Sequence, residues 1–307
     1  MILTITLNPS IDMNYHIDKL EINQVNRTGN PVMTAGGKGL NVTRVIHQND
    51  EPVMATGFLG GMTGTYISQK LERQGIKHNF IKIRQNTRHC LALMHEGNQT
   101  EVLESGPEIS MDESELFIEN YKKFLDLCNV VVASGSIPAG PGTAFYQRLI
   151  SLANKKGRKF ILDTSGDALK EGIKAHPFLI KPNLHEIELL LRVKIESEEE
   201  LINAVRRLAQ KGPKNVVISL GDKGAIAILN NVLYRVRTTK IHVVSAVGSG
   251  DSMVAGLALG IARGYNAKKL LALGSCFGAL NALESETGYI DVNRIQKFMD
   301  KTEVVSL

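Results

Sequence analysis

Short apolar runs alternate with amphipathic stretches along most of the chain. Residues 2–7, 130–133, 160–163, 178–181 and 216–220 are each short and apolar, and each leads into a polar or glycine-bearing segment. Such runs predict strands. Helical patterns fall between several of them, as at 144–155 and 198–210. Strands alternating with helices predict an α/β fold, a mostly parallel sheet covered on both faces. In such sheets, ligand sites gather at the carboxyl ends of the strands.

Two segments break this rhythm. Residues 13–30 and 89–104 alternate like hairpin strands, with Gly97-Asn98 as a turn signal. The pattern predicts an antiparallel excursion from the α/β body. Further on, a β-rich run at 240–244 precedes an apolar helical pattern at 253–262.

Between those last two lies Val247-Gly248-Ser249-Gly250-Asp251-Ser252. Gly248 and Gly250 are free to take backbone angles closed to other residues, so their amides can converge on one oxyanion. The positive end of the following helix adds to that hole. Asp251 then stands beside the bound anion, placed to accept a proton. This pairing suits phosphoryl transfer to an alcohol. On its own, the string also serves as a glycine turn with Asp251 capping a helix. A second cluster, Ala35-Gly36-Gly37-Lys38-Gly39-Leu40-Asn41-Val42-Thr43, again opens a helix through Arg44, Val45 and Ile46.

These two clusters resemble the motifs of the ribokinase-like (PfkB) carbohydrate kinases. Ser134-Gly135-Ser136-Ile137-Pro138, Lys181-Pro182-Asn183-Leu184-His185-Glu186 and Ser219-Leu220-Gly221-Asp222-Lys223-Gly224 fall between them in that family's order. The resemblance spans essentially the whole chain. It implies one ribokinase-like domain over 1–307, with helices on both faces of the sheet. A small β-sheet lid at about 12–34 and 88–105 would double as a homodimer contact.

The resemblance also assigns residues. Asp251 matches the base that takes the sugar hydroxyl's proton, and the Gly248-Ser249-Gly250 amides hold the transferring phosphate. Asp12 matches the acceptor for sugar hydroxyls, with Gly36, Gly37 and Asn41 completing that contact. Arg27, Lys38, Arg88 and Ser136 match the phosphate-binding set of the hexose-phosphate branch, where arginine's planar fork suits phosphate oxygens. Lys181 is placed to reach an ATP phosphate. Ser219, Gly221 and Gly224 match the nucleotide loop, and Asn281 lies where relatives line the adenine pocket. Asn183 and Glu186 match a pair that holds magnesium through its water shell, although Asn-x-x-Glu is by itself more often a helix cap. Val244-Ser245-Ala246 replaces the Asp-Thr of many relatives, so the resemblance does not decide a monovalent-cation site there.

The implied activity is ATP- and magnesium-dependent phosphorylation of a ketohexose phosphate. Thr87-Arg88-His89-Cys90 and the stretch 95–101 are most similar to tagatose-6-phosphate kinases, with 1-phosphofructokinases as the alternative. A sensor that binds sugar phosphate without reacting would have no use for Asp251.

Composition agrees and excludes other classes. Of 307 residues, 43% are apolar and 22% charged, as in ordinary globular proteins. The net charge of +5 is spread without a basic block, which argues against nucleic-acid binding. Cys90, Cys128 and Cys276 show no paired spacing, and no apolar stretch is long enough to span a bilayer. Both features predict a cytoplasmic protein without a membrane partner. His89, His95 and His185 have no metal-ligand spacing. The glycines at 57–64 lack a dinucleotide fingerprint.

Overall fold

The structure is a computed structural model that describes residues 1–307. In chain order, the elements begin with β1 (Ile2–Thr6), β2 (Ser10–Ile17), β3 (Val32–Gly36), α1 (Lys38–His47), β4 (Val53–Gly60), α2 (Gly61–Arg73) and β5 (Ile81–Ile83). The hairpin β6 (Arg88–His95) and β7 (Asn98–Leu103) follows, then α3 (Met111–Leu125), β8 (Val130–Ser134), α4 (Phe145–Lys155), β9 (Lys159–Asp163) and α5 (Gly166–Gly172). The second half holds β10 (Leu179–Ile180), α6 (Leu184–Leu191), α7 (Glu198–Ala209), β11 (Val216–Ser219), β12 (Ala225–Leu229) and β13 (Val232–Arg237). It ends with α8 (Ser249–Ala262), α9 (Ala267–Asn281), α10 (Ile295–Asp300) and β14 (Glu303–Ser306).

A ten-stranded sheet runs in the order β14-β13-β12-β11-β10-β9-β8-β1-β4-β5. From β5 to β11 every neighbour is parallel, and β12, β13 and β14 add antiparallel strands at one edge. The expected α/β layering is present. Parallel strands need covered faces, and two apolar clusters supply them. One joins Leu3, Ile5 and Val131 to α3, α4 and α7, and the other joins Ile2, Val130 and Val132 to α1, α8 and α9. The strand order reverses direction about β1, which has β4 on one side and β8 on the other. That reversal is where such sheets open a ligand crevice. No helix is long and apolar enough to cross a membrane.

The antiparallel excursion is a separate four-stranded sheet, β3-β2-β6-β7. It packs on α2 and β4 through Ile11, Ala35, Leu59, Ile67 and Leu71. Three local expectations need correction. Residues 18–31 form no strand; they find no partner strand, and Ile22 and Val25 remain exposed. The tight turn is Glu96-Gly97, one residue earlier than expected, because His95 pairs with Asn98. Both turn residues have positive φ, 47° and 75°, as a two-residue hairpin of matching twist requires. Residues 240–244 are not a strand, since β13 already pairs on both sides, with β12 and β14.

Candidate active site

A cavity of about 1010 Å³ opens at the carboxyl edge of the large sheet. Asp163 ends β9, Lys181 follows β10 and Ser219 ends β11, and all three line it. The small sheet forms the opposite wall with Asp12, Asn14, Thr34, Cys90 and Glu101.

Two helix N-termini meet there. Gly37 caps α1 with φ 111° and Gly248 caps α8 with φ 81°, both backbone regions that favour glycine. Neither helix has a side-chain cap. In α8 the first internal bond of the turn runs from the Ser252 N–H to Gly248 O at 2.8 Å. The Ser249 N–H turns back to Ala246 O at 3.3 Å, while the Gly250 and Asp251 amides remain available to an anion, reinforced by the helix dipole. Gly250 departs from expectation: it is an ordinary helical residue in this first turn, and α8 starts at Ser249, four residues before the apolar pattern. A Cβ at Gly250 would lie 3.6 Å from Lys181 Nζ, so that lysine sits beside the same amides.

Asp251 lies in the first turn of α8 and is 6% exposed. Its Oδ2 accepts a hydrogen bond from Asn41 Nδ2 at 2.6 Å. Burial pushes the carboxyl up to about 6, and the nearby Asp163 carboxylate adds to the rise. Lys38, the Asn41 hydrogen bond and Lys181 oppose it. Asp163 and Lys181 form a buried ion pair at 3.3 Å. Lys38 is held above the usual lysine range, chiefly by Asp163. Across the cavity, Asp12 accepts from Ser10 Oγ at 2.6 Å. Its carboxyl is raised by burial, against the Ser10 bond and the Arg44 and Arg88 charges. The site thus sets three carboxylates, Asp12, Asp163 and Asp251, among several cations.

The remaining expected residues divide plainly. Gly37, Lys38, Asn41, Arg88, Lys181, Asn183, Glu186, Ser219, Gly221, Gly224, Gly248, Ser249, Gly250 and Asp251 all line the cavity. Gly36 lies beneath it; a Cβ there would overlap the Asp12 carboxylate. Ser136 is exposed and outside the lining, and accepts from Asn8 Nδ2 at 3.1 Å. Asn183 and Glu186 form a capping box on α6, with Glu186 N–H to Asn183 Oδ1 at 2.8 Å and Asn183 N–H to Glu186 Oε2 at 2.9 Å. The other Glu186 oxygen is 4.0 Å from Lys38 Nζ.

Asn281 is a correction. It does not line the cavity but is fully buried beneath it. There it accepts from Ser252 Oγ and the Gly288 N–H, and it donates to Val247 O at 2.9 Å. It braces the Gly248 loop, and its neighbours Gly278, Ala279 and Ala282 reach the cavity. Arg27 is exposed in the strandless stretch 18–31 and lines no part of it. Residues 240–244, though not a strand, contribute Lys240, Ile241 and Val243 to the wall. The sequence reading missed Asp163. Its one local signal was its place at the polar end of an apolar strand.

Residues 6–293 match the pfkB family of carbohydrate kinases. The tagatose-6-phosphate kinase of Staphylococcus epidermidis is 43% identical over 310 residues, covering 100% of both chains. Phosphofructokinase-2 from Escherichia coli, solved in complex with potassium, superposes with a TM-score of 0.91 at 28% identity, covering 97% of this chain and 98% of that one. The same enzyme solved with fructose-6-phosphate gives 0.88 at 26% identity over the same shares. With its motifs, its layered sheet and its full-length match all in agreement, the chain belongs to the pfkB family of carbohydrate kinases.

Proposed function

We propose that this sugar-phosphate kinase transfers the terminal phosphoryl group of ATP to tagatose 6-phosphate, giving tagatose 1,6-bisphosphate. The observation that carries the reaction type is a buried carboxylate, Asp251, beside two uncapped helix N-termini. The full-length relative from Staphylococcus epidermidis supports the sugar.

In this reading Asp12 accepts hydrogen bonds from the sugar hydroxyls and so orients the ring or chain. Arg88 and Lys38, helped by Ser136, hold the phosphate already on the sugar. Asp251 takes the proton of the attacking hydroxyl. The α8 amides and Lys181 receive the negative charge that develops on the transferring group. Ser219, Gly221 and Gly224 hold the nucleotide phosphates, and Gly278, Ala279 and Ala282 pack against the base. The small sheet acts as the lid that excludes water.

The donor set suits magnesium. One Glu186 oxygen is free of the capping box, and magnesium keeps several waters, so a carboxylate and an amide suffice as outer ligands. When bound, the ion neutralises charge on the nucleotide phosphates. Glu186→Gln is expected to raise the magnesium concentration needed for half activity. Overlaid titrations of variant and native chain would remove Glu186 from the ion's shell.

The test of the function is a coupled ADP-release assay across tagatose 6-phosphate, fructose 1-phosphate, fructose 6-phosphate and unphosphorylated ketoses. Highest kcat/KM is expected for tagatose 6-phosphate. A clear preference for fructose 1-phosphate would replace it with 1-phosphofructokinase activity, and no turnover on any would leave a sensor.

The small sheet also supports a homodimer. Its edge strands β3 and β7 expose Val32 and Val102, at 58% and 53%, and an apolar sheet edge invites pairing. Arg27, close in sequence, would then approach a sugar phosphate on lid closure. Light scattering is expected to read twice the 33.6 kDa chain mass. A fully active monomer would remove both statements.

A further inference from the structure

Arg44, on α1, is a buried cation that the reaction does not use. It is 7% exposed, and its hydrogen bonds go to neutral oxygens: Ala35 O at 2.6 Å, Thr287 O at 3.2 Å and the side-chain oxygen of Asn41. Burying a guanidinium without a carboxylate partner is costly. The contacts show what that cost accomplishes.

The Asn41 amide has two ends. Its oxygen accepts from Arg44, so its NH₂ group faces Asp251 and donates to Oδ2 at 2.6 Å. A turned amide would set oxygen against carboxylate and lose both bonds. Oδ2 is thus held by Asn41, while Asp251 itself lines the cavity. The same guanidinium ties the two ends of the site together. Ala35 precedes the α1 cap, and Thr287 lines the wall beside Gly248.

We infer that Arg44 is a positioning residue for the phosphoryl-transfer base, acting on Asp251 through the Asn41 amide. This rests on the reading of Asp251 as the base. The charged groups around Asp251 are Lys38 and Arg44 from α1, Asp163 from β9 and Lys181 after β10, while Arg44 also feels Asp12 and Glu286. Arg44→Lys keeps the charge and loses the fork, which separates orientation from simple electrostatics.

The test is a double-mutant cycle in the full-length enzyme with Arg44→Lys, Asn41→Ala and the pair. Each single change is expected to lower kcat by about ten-fold or more, the weight of a charge-assisted hydrogen bond. In Arg44→Lys, KM for both substrates should stay within about three-fold, and in each single variant the acid limb of kcat should move to higher pH. The pair should fall no more than about two-fold below Asn41→Ala alone, because Arg44 acts through that amide. Additive losses, or a raised sugar KM with an unmoved acid limb in Arg44→Lys, would overturn the inference and leave Arg44 as a brace for the sugar loop.

Should the lysine variant fail to fold, Asn41→Asp carries the question. Its carboxylate pairs with Arg44 yet turns an acceptor toward Asp251, so turnover is lost while the circular-dichroism spectrum stays native. Turnover within about three-fold of native in that variant overturns the relay. Asp251→Asn separates the two readings. Retained turnover there sinks the base itself, whereas lost turnover with an additive cycle sinks only the role of Arg44.

Discussion

Asp251→Asn is expected to bind sugar phosphate and ATP within a few-fold of the native chain while kcat falls by about 10² or more. The amide keeps the shape of the carboxylate and cannot take the proton. The same change should stabilise the free enzyme above neutral pH. The native carboxyl sits at about 6 against an ordinary 3.8, because folding buries it near Asp163. The folded state therefore holds this proton more tightly than the unfolded chain. Its contribution is most favourable below about pH 4 and is lost as pH rises through 6.

By pH 8 the ionised Asp251 costs at most about 3 kcal/mol. An asparagine carries no such cost, although its bond to Asn41 is weaker. A rise of several degrees in thermal midpoint is expected at pH 8, shrinking to nothing near pH 4. In the native enzyme kcat/KM should fall on the acid side of about pH 6, as the base becomes protonated. A variant retaining more than about a tenth of native turnover would remove Asp251 from the base role. Equal melting of the two chains at pH 8 would show that the buried charge is not a burden to the fold.

Arg88→Ala should lose about 10² to 10³ in kcat/KM on phosphorylated ketoses, since it removes a charge-assisted anion contact. Any weak turnover of free ketoses should change little. Arg88 opens β6 at the cavity wall. Its terminal nitrogens donate to Glu104 O at 2.8 Å and Asn8 O at 3.2 Å, while Nε is buried without a partner. The side chain is thereby held in place by two of its five N–H donors, with three unspent. Arg88→Lys should recover only part of the loss, because an ammonium has no planar fork. The contacts to Glu104 and Asn8 also supply the rival explanation. If phosphorylated and free sugars suffer equally, Arg88 clamps the small sheet to the β1–β2 turn and does not read the phosphate.

What the sequence by itself determined is local in origin. Apolar runs at 2–7 and 130–133 are strands because both faces of the sheet are covered, so every side chain there is buried. The glycines at 37 and 248 were legible because a helix start with positive φ admits few other residues. The tertiary structure decided what depends on partners far along the chain. The run at 240–244 has strand composition but no free edge to join. Asn281 sits at the right place in sequence yet points under the Gly248 loop, held by Ser252 and Gly288. Asp163 is one polar residue at a strand end until the sheet order sets it against Lys181 and near Asp251. Asn41 and Asp251 stand 210 residues apart and meet only because α1 packs on α8. Periodicity reports which face of an element is buried; which charged group lies across the cavity depends on the order of the strands and the packing of the helices.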